Sequence, residues 1–114
     1  MTRSVFLLGA GFNVSNFFVV NFGMFISIKQ LTDDVFEVTV ADSATTTHEV
    51  AVTEQSLIDL TDNNVTKAQL IEFSFRFLLE KEPNTSILSS FDITVITKYF
   101  SDYKDEVRRW CDKS

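Results

Sequence analysis

The chain has 114 residues, of which 45% are hydrophobic, with three glycines and one proline, a globular composition at single-domain length. Sixteen acidic against ten basic side chains leave a net charge of −6, and the one adjacent basic pair, Arg108-Arg109, is flanked by Asp105, Glu106 and Asp112. A surface of that sign repels phosphate backbones and anionic leaflets, so no nucleic-acid partner is expected. Cys111 is the single cysteine, which excludes an internal disulfide and any zinc site needing several thiolates from one chain, and suits a reducing, cytoplasmic setting.

From Ser4 to Ile28 there are 25 consecutive residues without a charge, and 25 of the 26 charged side chains follow from Lys29 onward. Residues 5–22 are long enough for a membrane anchor, but Asn13, Ser15, Asn16 and Asn21 lie inside the span and weaken insertion. A signal peptide lacks both a strong cationic head and a small-x-small cleavage site. Phe17-Phe18-Val19-Val20 also fits a buried strand. The preferred expectation is that residues 1–23 are an apolar extension or a mis-assigned start and that a single domain spans 24–114, because Met24 opens a clean alternation. Gly9-Ala10-Gly11 resembles the opening of a dinucleotide fingerprint, but Val14 stands where the third glycine belongs.

Three strands come next. Met24, Ile26 and Ile28 alternate with Phe25, Ser27 and Lys29; Phe36, Val38 and Val40 with Glu37 and Thr39; His48, Val50 and Val52 with Glu49 and Ala51. Their short polar connections, 31–34 and 41–47, predict an antiparallel meander. Helices follow. Thr53 caps a short one through Leu60, and Thr66 with Gln69 forms a capping box for a helix running to about Glu80, before Pro83. Apolar residues cover well over half of that second helix, leaving only the ridge Glu72, Arg76 and Glu80, so it requires cover on two sides, from the core or from a partner. Asp92 is placed to cap a helix through Phe100, and Ser101 or Asp102 to open a last helix with Tyr103, Val107, Trp110 and Cys111 on one stripe. The expected fold is α+β, a three-stranded antiparallel meander followed by three to four helices packed on one face.

Across residues 74–103, SFRFLLEKEPNTSILSSFDITVITKYFSDY, together with HEVAV at 48–52, the chain resembles a group of short bacterial proteins of unassigned function. They join an HEVxV strand pair to a helical segment carrying FLLE-x-EP, SIL-x-x-F and a tyrosine-phenylalanine pair. The resemblance covers about residues 35–107. It implies an α+β domain and carries no activity or site residue with it.

The residues that could hold chemistry do not form a recognisable pattern. His48 is the single histidine, and Val52 stands where a zinc-binding His-Glu-x-x-His motif needs its second imidazole; a strand-end imidazole is expected. Asp59, Asp62, Asn63 and Asn64 suggest a calcium loop, but Lys67 and Phe73 occupy the positions of its glycine and bidentate glutamate, and a cap-rich turn is expected instead. Cys111 beside Arg108 has either a lowered thiol pKa or the role of a small buried apolar side chain, the expected one. No catalytic, cofactor or metal residue is assigned.

Twelve phenylalanines are more aromatic area than these elements obviously need. The expected function is a small acidic, non-enzymatic accessory or protein-interaction domain of the bacterial cytoplasm, with Phe73 and Phe77 as the partner surface for a second copy or another protein. The alternatives are a membrane-anchored domain with residues 5–22 as anchor and a small hydrolase using His48.

Overall fold

The computed structural model describes residues 15–21 and 24–113. Five strands form one sheet in the order β1-β2-β3-β4-β5: β1 (Ser15–Asn21), β2 (Met24–Gln30), β3 (Val35–Ala41), β4 (Thr45–Ala51) and β5 (Ser90–Asp92). The first four are antiparallel, and β5 returns parallel to β4 with Val50 opposite Phe91. Between them lie helices α1 (Glu54–Thr61) and α2 (Lys67–Leu79) and a 3-10 turn, Asn84–Ser86; a second 3-10 turn (Ile93–Val95), α3 (Ile96–Tyr99) and α4 (Tyr103–Lys113) complete the chain.

The α+β class is as expected, but the three-stranded antiparallel meander is corrected to a five-stranded mixed sheet. Strand β1 adds to the outer edge of β2, with Phe18 opposite Ile26 and Asn16 opposite Ile28. Strand β5 is only three residues long and exists because β4 offers it an edge. The anchor and signal readings fall largely on residues 1–14, 22 and 23, outside the described residues, as does the Gly9-Ala10-Gly11 segment. Within the anchor span, 15–21 is a strand. Among the described residues no helix is long and apolar enough to cross a membrane.

Period-2 alternation sorts the sheet into two faces. Register stacks Ile26 against Val40, Ile28 against Val38, and Phe36 against Val50, all buried. The opposite face carries Ser27, Lys29, Glu37, Thr39, Thr47 and Glu49, as expected for an antiparallel sheet covered on one side. Helix α2 supplies the cover with Leu70, Ile71, Phe75 and Leu78. The expected caps form: Thr53 accepts from the Ser56 amide, Thr66 and Gln69 make a reciprocal capping box, and Asp92 accepts from the Thr94 amide, although it opens the 3-10 turn and the short α3 in place of one helix through Phe100.

The broad apolar girth of α2 finds its second cover within the chain. Phe77 meets Phe100 edge-on at 5.7 Å and Tyr103 at 5.3 Å, while Phe73 stacks on Trp110 at 4.6 Å. The ridge opposite holds the Glu72–Arg76 ion pair. One helix therefore lies between the sheet and the C-terminal segment, the centre of a single core.

Candidate functional site

Among the described residues, an apolar concavity lies where α2 ends and the chain doubles back. Its volume is about 350 Å³. Leu78 comes from the last turn of α2, Glu82 and Ser86 from the following turn, Ile87 and Leu88 from the segment leading into β5, Phe91 from β5, and Val95, Ile96, Tyr99 and Phe100 from the second 3-10 turn and α3. Leu88 keeps 49% of its surface exposed and Tyr99 66%, so two large apolar side chains stand at the cleft rather than in the core. Glu82 is the one charged side chain in the lining, and it is half-buried. The FLLE-x-EP, SIL-x-x-F and tyrosine-phenylalanine residues thus meet around one cleft.

The wall carrying Leu88 is fastened to the sheet by a chain of buried polar groups. His48 sits on the core face of β4, only 2% exposed, its ring tilted against Phe75. A carbonyl can only accept, so His48 Nδ1 bears a proton and donates to the Leu88 oxygen at 2.7 Å. In the neutral ring, Nε2 then accepts from the Thr46 hydroxyl at 2.8 Å. The Thr46 oxygen in turn accepts from the Asn84 amide at 2.9 Å, and the same amide group donates to the Ala44 carbonyl at 2.9 Å. Each buried group has a partner, which is the condition for keeping polar atoms in a core.

His48 is therefore a structural imidazole. A general base needs a nitrogen facing substrate, whereas both nitrogens here are engaged inside the protein and the ring lies outside the cleft lining. Phe77 is buried in the core and Phe73 is half-covered by Trp110, so the structure does not bring these two rings together on an open face.

The Asp59–Asn64 segment is the last turn of α1 followed by the turn at Asp62-Asn63-Asn64. Asp62 and Asn63 adopt left-handed backbone at φ 57° and 64°, a conformation that Asn and Asp tolerate. The Asp62 carboxylate receives the Arg108 guanidinium at 3.2 Å. Among the described residues no cluster of three or more metal-ligating side chains occurs. Cys111 packs beside the core; burial pushes its thiol pKa up, Asp112 adds to the rise, and the opposing pull of Arg108 is the smaller effect. Burial thus weighs against the lowered-pKa alternative.

A second, more open hollow lies between the β2–β3 turn and the start of α2, where the Lys67 ammonium already holds the Asp33 carbonyl at 2.8 Å and the Asp34 carboxylate at 2.9 Å. Its one cation is in use as a tie between the turn and the helix, which leaves the Leu88–Tyr99 cleft as the better candidate. Sequence reading missed Glu82, Leu88 and Tyr99; the available signal was the apolar pair Ile87-Leu88 between a proline turn and a run of serines. No protein-family model, curated protein or solved structure matches the chain.

Proposed function

We propose that the chain is a small, non-enzymatic protein-interaction domain of the bacterial cytoplasm that docks a partner through the cleft between Leu88 and Tyr99. The observation carrying this reading is an apolar cleft of ligand-site size whose rim leaves two large side chains, Leu88 and Tyr99, about half and two thirds exposed. Such side chains at the edge of a pocket are the usual anchors of protein interfaces, where aromatic area is enriched. An acidic surface and a single cysteine suit the cytoplasm.

The test is affinity capture of the full chain from the cells that encode it, alongside Leu88→Ser and Tyr99→Ala. Both positions are exposed, so each variant should retain its melting temperature within the range of ordinary surface changes, about 0.5 kcal/mol in stability. A specific protein retained by the parent and lost by both variants supports cleft docking. A partner retained equally by all three chains places its contact elsewhere and overturns this reading.

A further inference from the structure

We propose that the partner presents a basic, apolar peptide segment: one aromatic or long aliphatic side chain seats between Leu88 and Tyr99, and a neighbouring lysine or arginine reaches Glu82. This rests on the docking reading above and adds the chemistry of the partner.

Glu82 is the residue that selects the charge. Among the described residues six carboxylates are already paired: Glu72 with Arg76, Asp34 and Glu54 with Lys67, Asp62 with Arg108, Asp102 with Lys81 and Glu106 with Arg109; of those left without an ion pair, such as Glu37 and Asp105, Glu82 is the one that lines the apolar cleft. Glu82 has no ion pair among the described residues, although it is half-buried in an apolar wall. Its sequence neighbour Lys81 is spent elsewhere, 3.9 Å from Asp102 and 4.6 Å from the centre of the Phe77 ring. A carboxylate with part of its hydration removed gains more from a charge-assisted hydrogen bond than an exposed one does. Lysine and arginine suit the place twice over, because their alkyl stems lie on apolar surface while the charge reaches the carboxylate.

Two more features favour a peptide. A 350 Å³ cleft is at the small end of ligand sites and holds a single anchoring side chain, while the exposed parts of Leu88 and Tyr99 continue the apolar surface for the residues beside it. Strand β5 ends the sheet and Ser90 is exposed, so the main chain of an extended segment has a strand edge within reach. The net charge of −6 adds a long-range attraction for basic segments and repels fatty-acid carboxylates, nucleotides and anionic lipids.

A random twelve-residue peptide library displayed on phage, selected on the purified full chain and in parallel on Glu82→Gln, tests the assignment. Selection on the parent should enrich an aromatic or aliphatic position with Lys or Arg within two residues of it, and selection on Glu82→Gln should lose the basic preference. For a synthetic peptide from the enriched pool, replacing its Lys or Arg with Gln should weaken binding at least tenfold on the parent and by less than threefold on Glu82→Gln. Enriched peptides without a basic excess, or equal losses on both chains, overturn the charge assignment while leaving cleft docking intact. An absence of enrichment, or binding that Leu88→Asp and Tyr99→Ala leave unchanged, overturns both.

Discussion

The Nδ1–H of His48 holds the carbonyl oxygen of Leu88 at 2.7 Å, forty residues away in sequence, and so ties one wall of the cleft to the core face of β4. On its other side the same ring reaches Thr46 and, through it, Asn84 at the start of the turn that leads to Leu88. These side-chain ties add to the strand pairing that begins at Ser89 and Ser90, so the cleft wall is fastened to β4 in both ways.

Replacing His48 with Phe keeps a ring against Phe75 but leaves the Leu88 carbonyl and Thr46 without their partner. Burying an unsatisfied polar group costs about 1–3 kcal/mol. Denaturant unfolding should show a loss of that size, and amide exchange should accelerate chiefly over residues 84–91. A His48→Phe chain as stable as the parent, with that segment equally protected, would show that the tie is dispensable.

Phe73 and Phe77 are one turn apart on α2 yet should respond very differently to truncation. Phe77 is 6% exposed and meets two aromatic rings, so Phe77→Ala should cost about 3–5 kcal/mol, the range for a buried ring. Phe73→Ala gives up a stack on Trp110 at the edge of the core and should cost about 1–2 kcal/mol. Equal losses at the two positions would contradict the placement of Phe77 at the centre.

Tyr103 predicts an alkaline limit to stability. Ser74 spends its hydroxyl proton on the Leu70 carbonyl at 2.7 Å, so the Tyr103 hydroxyl, 2.6 Å away, donates to Ser74. Burial raises the phenol above its ordinary value of 10.0. With the folded pKa above the unfolded one, the contribution is fully present below pH 10 and is lost as pH rises beyond it, at up to about 1.4 kcal/mol per pH unit. Stability measured from pH 8 to 12 should fall more steeply for the parent than for Tyr103→Phe, which keeps the ring and removes the ionisation. Parallel curves would refute the coupling.

The raised thiol pKa at Cys111 predicts slow modification. At pH 7.5 a thiol reagent such as iodoacetamide should label the native chain at least several-fold more slowly than the denatured chain, because the thiolate is the reactive species. Labelling as fast as that of a free thiol would mean that Arg108 dominates instead.

Strands β2, β3 and β4 and both helix caps are legible in the sequence because their signals are local: alternation at Ile26, Val38 and Val50, a Thr-x-x-Gln box at Thr66. Strand β5 is not, and β1 is legible only as one of several readings of Phe17-Phe18-Val19-Val20. The run before Met24, interrupted by Asn16 and Asn21, has no clean period to read, and Ser90-Phe91-Asp92 is too short to show one; pairing with a neighbouring strand makes each a strand. The cleft is hidden for the same reason. Leu78, Leu88 and Tyr99 belong to different elements, and their approach depends on His48 and Asn84, whose partners no spacing rule reveals.

The order of elements also shapes how the chain is made. Strand β4 is complete at Ala51, yet the apolar face bearing Ile26, Val38 and Val50 gains its cover only with Phe75 and Leu78 of α2. Synthesis at about 5–20 residues per second leaves a half-built sheet bare for seconds on the ribosome. During that interval the nascent chain offers an apolar surface to other polypeptides, and the Thr66–Gln69 capping box begins the helix that closes over it.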